Sequence, residues 1–458
     1  MLRKFSKKML PIAVISSLAI TAALHGANNG FAAAQDNQAN NAKVKNVIFL
    51  IGDGMGPAYT TAYRYMKDDP KTPTKELTEF DKYLVGAQMT YADDDKQNIT
   101  DSASAATAMS SGVKTYNNAI AVDKTKVEVE TVLERAKKVG KSTGLVATSE
   151  ITHATPAAFG AHDESRKNMD AIANDYFDEK INGKHKIDVL LGGGLVNFDR
   201  KDRNLTEEFK KAGYSYVTTK QDLLKDKNEQ ILGLFASGGM DKMIDRSEAT
   251  PSLEDMTNAA IQRLSKNKDG FFLMVEGSQI DWAGHDNDIV AAMSEMEDFE
   301  KAFKAAIDFA KKDGHTLVVA TADHSTGGLS VGARDEYNFF VDPIKAAKRT
   351  PDFMAAEIAK GAGVEETLKK YIDLELTKEE IDSVKKAAEA KKAVDIDNAI
   401  EAIFDTRSFT GWTTGGHTGE DVNVYAFGPG KEKLSGLIDN TKNADVIFDI
   451  LGGSKGKK

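Results

Sequence analysis

Residues 44–54 read VKNVIFLIGDG, an apolar, β-branched run stopped by glycine and an acid. The same pattern returns in ETVLERAKKVGKSTGLVATSE (130–150), KIDVLLGGG (186–194), NAAIQRLSKNKDGFFLMVEGS (258–278) and FAKKDGHTLVVATADHS (309–325), with helical stretches between the strands. A strand that is apolar on both faces must be covered on both faces, which an antiparallel sheet with one wet side does not provide. The β-α-β order therefore predicts an α/β fold, a three-layer doubly wound and mainly parallel sheet with helices on both faces. Sites on such sheets gather beyond the C-terminal ends of the strands. Three acids stand there: Asp53 after VIFLI, Glu276 after FFLMV, and Asp323, with His324 beside it, after LVVATA.

The first 34 residues read as a signal peptide. MLRKFSKKM carries four positive charges and no acid, LPIAVISSLAITAAL is the apolar core, and FAAA offers a cleavage site near Ala34. The apolar stretch is short for a bilayer span, so secretion is expected, with a retained N-terminal anchor as the alternative. Without that segment the 60 Lys and Arg fall to 56 against 70 acids, a net charge of −14. Nucleic-acid or anionic-membrane binding, which needs a basic footprint, is not expected. An anion site in such a chain must bring its own positive charge, from metals or a local Arg. The chain has no cysteine, which removes disulfides, thiolate ligands and cysteine nucleophiles.

Residues 335–410 are charged and helical and lack a clear buried strand, after which GWTTGGHTGEDVNVYAFG returns to the sheet. The expected organisation is a catalytic α/β domain in two parts, 35–334 and 411–458, with a mainly helical subdomain at 335–410 inserted between them. The glycines at 192–194 read as a loop, and no Lys-Ser/Thr follows them to make a phosphate cradle. His185 and His315 fall in charged turns and read as solvated.

Chemistry-bearing residues cluster in a few short motifs. In VEGSQIDWAGH, Asp281 and His285 are four apart, one face of a helical turn and the spacing of metal ligands, though also of a surface pair. TADHSTGG sets Asp323 beside His324, GGHTGED offers His417, and IGDGMG offers Asp53; each also suits a turn or loop. An O and N donor set without sulfur favours Zn²⁺ with Mg²⁺ over copper or iron. TDSASAATAMSSG (100–112) puts Asp101-Ser102 at a helix start, either as a cap or as a nucleophile. A Zn²⁺ beside Ser102 would hold its oxygen as the alkoxide, and a second metal about 4 Å away would clamp both ends of an in-line displacement. Arg166, in AHDESRKN, is the candidate guanidinium clamp for a phosphate.

In this order, VIFLIGDGMG, TDSASAATAMSSG, THATPAAF with HDESRK, VEGSQIDWAGH, TADHSTGG and GGHTGEDV resemble the bacterial alkaline phosphatase family, from about residue 44 to 430. The resemblance implies a phosphate monoester hydrolase that releases inorganic phosphate through a phosphoserine on Ser102. It implies two Zn²⁺, one held by Asp281, His285 and His417 and the other by Asp53, Asp323 and His324. A third metal, usually Mg²⁺, would use Asp53, Thr155 and Glu276. Arg166 would hold the phosphate and Asp101 would orient Arg166; a crown-like insertion and a homodimer are also implied. Two positions depart from the best-known bacterial pattern. His153 stands where many members have an acid, so it is an additional ligand or a supporting residue that would favour Zn²⁺ or Co²⁺ as the third metal. Trp282 stands where many have a Lys beside the phosphate. The alternatives are a phosphodiesterase or mutase on the same scaffold, or an exported metal- or phosphate-binding protein without turnover.

Overall fold

A computed structural model describes residues 43–452; the signal segment and its cleavage point near Ala34 lie outside the described residues. In chain order, ten strands form one sheet: β1 (Asn46–Gly52), β2 (Leu84–Met89), β3 (Ser142–Glu150), β4 (Val189–Gly193), β5 (Ser215–Val217), β6 (Ile231–Leu234), β7 (Phe271–Gly277), β8 (Thr316–Thr321), β9 (Val422–Phe427) and β10 (Gly436–Asp439). Their spatial order is β10-β2-β9-β8-β1-β7-β3-β4-β6-β5. All neighbours are parallel except at β9, which runs against both β8 and β2. The expected mainly parallel three-layer sheet is the observed one.

The period-2 geometry of a strand feeds two cores from one run of apolar residues. In β1, Ile48 and Leu50 enter the apolar cluster on one face, while Val47, Phe49 and Ile51 enter the cluster on the other. β7 divides in the same way, with Leu273 and Val275 on the first face and Phe272 and Met274 on the second. This double burial is why the central strands read as continuously apolar.

Residues 342–408 hold five helices, and two short strands flank them, with Ser330 and Val331 pairing Gly411 and Thr410. Their apolar side chains, among them Met354, Leu368, Val384 and Ile400, belong to the same cluster as Ile48 and Leu50. The segment therefore extends one core of the sheet and has no core of its own. The sequence reading differs at three smaller points. Gly192 and Gly193 are strand, not loop, pairing with Leu234 and Glu150, and a Cβ on Gly193 would meet the Gly238 carbonyl at 2.1 Å. His185 is half-buried against Phe177, Phe209 and Tyr214, with Nδ1 donating to the Phe177 carbonyl. His315 is likewise half-buried. Among the described residues no helix is long and apolar enough to cross a membrane.

Register carries the site. Ile51 pairs with Glu276 of β7 and with Thr321 of β8, so Asp53, Glu276 and Asp323 finish at one edge. Because Leu50 sits at the centre of that register and is fully buried, Leu50→Ala should lower unfolding free energy by about 2–5 kcal/mol. A denaturant titration checks it; a loss under about 1 kcal/mol would mean that the central strands do not set stability.

Candidate active site

The helix Ser102–Ser111 separates the two readings of Asp101-Ser102. Asp101 is the cap, its Oδ1 accepting from the Ser104 amide at 3.0 Å, so Ser102 is left at the first helical position with no capping duty. Ser102 is buried, and its Oγ lies 3.2 Å from His324 Nε2. The small residues that follow let this helix pack against the one at Ala154–Gly160, which brings His153 and Thr155 to the same edge.

Three histidines converge with the acids, and each has its orientation fixed by its Nδ1. A carbonyl oxygen only accepts, so the 2.7 Å contact of His285 with Gly415 O and the 2.8 Å contact of His417 with Thr100 O make both Nδ1 atoms donors. Thr326 Oγ1 gives its single proton to Asp281 and so accepts from His324 Nδ1 at 3.2 Å. All three histidines therefore present Nε2 to the site. His324 Nε2 lies 3.4 Å from Asp53 and 3.3 Å from Asp323, besides Ser102. The Nε2 atoms of His285 and His417 are 3.2 Å apart and lie 3.3 and 3.6 Å from Asp281. One nitrogen has one proton position and cannot satisfy several oxygens or a second nitrogen, whereas a shared cation does.

The fold makes this convergence in two ways. Asp281 and His285 share one face of the Gln279–Asp286 helix, as the four-residue spacing predicts. His417 arrives through a short antiparallel pairing, Thr326 with His417 and Ser325 with Thr418, which stacks its ring on His324 at 3.6 Å. Gly54 turns the chain after Asp53 at φ 70°, where a Cβ would lie 2.7 Å from Asp281 Cα.

Burial without counter-charge strains the acids. Burial, with the charges of Asp323, Asp281 and Glu276, raises Asp53 well above the carboxylate range. Burial likewise pushes Asp323 and Glu276 to about 7. For Asp281 burial acts upward, but the hydrogen bond with His285 and the nearby histidine charges hold it below the usual range. That same hydrogen bond raises His285 to about 9. Both oxygens of Asp53, Asp323 Oδ2, Glu276 Oε1 and Thr155 Oγ1 are buried with no hydrogen-bond partner. Such orphaned oxygens beside free imidazole nitrogens fit a set of metal ions. Two groups whose donor atoms all lie within 4.8 Å are Asp53 with Asp323 and His324, and Asp53 with His153 and Glu276. A third joins Asp281 and His417 with His324, so His324 touches both histidine-bearing halves.

Arg166 is held from two sides, donating to Asp101 Oδ2 at 3.1 Å and to His153 Nε2 at 3.0 Å. Because Arg166 donates there, neutral His153 keeps its proton on Nδ1, which is buried and unpartnered. Burial, aided by the Arg166 charge, lowers His153 to about 3 and keeps it neutral. Trp282 meets the His153 ring edge-on at 5.9 Å and also covers Gly239, where a Cβ would be 2.4 Å from the indole. The residues without a sequence signal are those acting through the backbone, Thr100, Gly415 and Gly54, the last donating its amide to Asp323 at 3.0 Å. Thr326 lies inside TADHSTGG, two residues after His324, yet the motif alone gives it no role.

Because Asp323, Glu276 and His285 hold protons near neutrality, metal uptake must displace them. Calorimetry of zinc binding to metal-free protein in two buffers should show proton release at about pH 7 that shrinks by about pH 9.5. Heat independent of the buffer would contradict this electrostatic account.

A family model for alkaline phosphatase matches residues 44–452. Alkaline phosphatase 3 of Bacillus subtilis is 68% identical, with 98% of each chain covered. The solved cold-active alkaline phosphatase of Shewanella sp. is 40% identical at a TM-score of 0.84, covering 89% of this chain and all of that one. A variant of the alkaline phosphatase of the Antarctic bacterium TAB5, with a histidine replaced by Asp and Mg bound in its M3 site, is 31% identical at a TM-score of 0.65. It covers 90% of this chain and 98% of that one. This chain belongs to the alkaline phosphatase family, and it is a metal-dependent enzyme that hydrolyses phosphate monoesters.

Proposed function

We propose that Ser102 carries the transferred phosphoryl group and that the enzyme acts as a secreted homodimer. The observation that carries the reading is the position of Ser102: buried, at a helix N-terminus, 3.2 Å from His324 and free of the capping role that Asp101 takes. Ser102 Oγ attacks phosphorus in line, the P–O bond to the alcohol breaks, and a phosphoserine remains. Water then attacks the same phosphorus, Ser102 Oγ leaves, and inorganic phosphate is released. The positive end of the Ser102–Ser111 helix favours the phosphate's charge throughout. Asp101 and His153 hold the Arg166 guanidinium at two points, which orients its remaining donors for the non-bridging oxygens.

Asp281, His285 and His417 would hold one Zn²⁺, and Asp53, Asp323 and His324 the other. Asp53, Thr155 and Glu276 would hold a Mg²⁺. Bound there, the ions supply Lewis-acid charge that makes the serine and water oxygens nucleophilic near neutral pH. His153 supports Arg166 and stands at the edge of the Mg²⁺ set, where a shift of Arg166 onto phosphate would free its Nε2. The TAB5 variant that holds Mg in its M3 site has Asp in place of a histidine; this chain keeps His153 beside its third-metal set, so Zn²⁺ or Co²⁺ is the alternative to Mg²⁺ there. The helical segment 335–410 is proposed as an insertion in the α/β domain of 35–334 and 411–458, and the N-terminal 34 residues as a signal peptide.

The test is rapid acid quench of the metal-loaded enzyme with a ³²P-labelled monoester, alongside a diester and a sulfate ester. Label is expected on Ser102, and Ser102→Ala should lose both the label and at least about 10³-fold in kcat. Normal turnover by Ser102→Ala would overturn the mechanism. The 3.2 Å contact also suits a serine–histidine dyad, which would label Ser102 with all metals chelated; loss of label on chelation rejects it.

A further inference from the structure

A second group of acids lies away from the phosphate site, where the helices of residues 342–408 meet the sheet-covering helices. Asp397 and Glu401 are one turn apart on the Ala393–Ser408 helix and face Asp286, the last residue of the helix that carries Asp281 and His285. Donor oxygens of Asp286, Asp397 and Glu401 all lie within 4.8 Å of one another. Asp397 and Glu401 are only 3% and 6% exposed. Asp397 Oδ1 and Glu401 Oε1 have no hydrogen-bond partner at all. Among the described residues no Lys, Arg or His nitrogen comes within 4 Å of the three carboxylates; Lys242 acts on Asp286 only from farther away. Asp288 adds a further buried acid, already used in capping the Ile289–Asp313 helix through the Val290 and Ala291 amides.

Buried carboxylates set mainly against other acids, here with Asp352 beside Asp286 and Asp397, cannot all remain ionised without compensation, so a proton or a cation must neutralise them. We propose that Asp286, Asp397 and Glu401 form a site for a hard divalent cation, calcium, that fastens the helical segment to the His285 helix. The donor set is all oxygen and strongly anionic, with no imidazole or sulfur. It comes from two helices and consists of carboxylates able to bind through one or both oxygens, which suits the variable coordination of calcium better than the octahedron of magnesium. Orphaned oxygens aimed into the cluster separate it from an ordinary solvated acidic patch. Its role is mechanical: neutralising these acids relieves repulsion between the segment's carboxylates and that of Asp286, the residue after His285.

The test uses the enzyme with its zinc and magnesium sites filled and held constant. Calcium should raise Tm by about 3 °C at about a hundredfold excess over its Kd, and Asp397→Asn/Glu401→Gln should abolish that shift. Terbium luminescence gives an independent readout through Trp412, whose Nε1 donates at 3.1 Å to Oδ1 of Asp405, one turn past Glu401 on the same helix. The wild type should show sensitised emission that calcium displaces. If the double variant does not fold, Asp397→Asn alone should raise the calcium midpoint by about tenfold or more. A calcium-independent Tm in the wild type would overturn the proposal, as would a double variant no less stable than the wild type at saturating calcium, the result expected if protons neutralise the cluster.

Discussion

Each of the three histidines of the candidate site has one ring nitrogen committed by a contact within the fold. Gly415 O, Thr100 O and Thr326 Oγ1 take the Nδ1 protons of His285, His417 and His324, so the Nε2 atoms have no choice but to face Asp281, Asp53 and Asp323. At an effective dielectric of about 20, two unit charges about 4 Å apart interact by about 4 kcal/mol. Four ionised carboxylates gathered without cations would oppose folding, so in the metal-free protein Asp53, Asp323 and Glu276 are driven toward their protonated forms. Divalent ions reverse the sign of that sum. The same ions provide the positive field that a phosphoryl transfer requires, so stability and catalysis depend on one arrangement.

The sheet makes the arrangement rigid. Asp53, Glu276 and Asp323 are placed by backbone register between β1, β7 and β8, whose side chains are packed on both faces. A parallel sheet of this kind resists the small displacements that would spoil in-line geometry. The parts that close the site are different in kind. His417 comes from a two-residue pairing, and Arg166 from a loop where its amide donates to Asn118 O. The Arg166 guanidinium is held by Asp101 and His153, so side chains rather than backbone register fix its position.

Much of this is legible in the chain. Strands buried on both faces announce themselves as unbroken apolar runs, and their ends point to Asp53, Glu276, Asp323 and His324. The i, i+4 spacing of Asp281 and His285 survives because a single helix contains both. Other features depend on contacts between distant segments, where local periodicity is silent. The carbonyls of Thr100 and Gly415 act through the backbone, so no side-chain identity marks them. The helices of 342–408 look self-contained in sequence because their exposed faces are charged, yet their apolar faces join the core above β1. Asp286 and Glu401, 115 positions apart, carry no local motif that marks them as neighbours, and only the fold brings them together. His185 misleads for a related reason: its charged neighbours hide an aromatic pocket built from Phe177, Phe209 and Tyr214.

Anomalous diffraction at the zinc absorption edge, from crystals of the metal-loaded enzyme, tests the central arrangement most directly. Two zinc peaks should appear, one about 2.0–2.1 Å from the Nε2 atoms of His285 and His417 and one at that distance from His324 Nε2, with every Nδ1 still on its present partner. Zinc bound through Nδ1, or peaks away from these three histidines, would contradict the account.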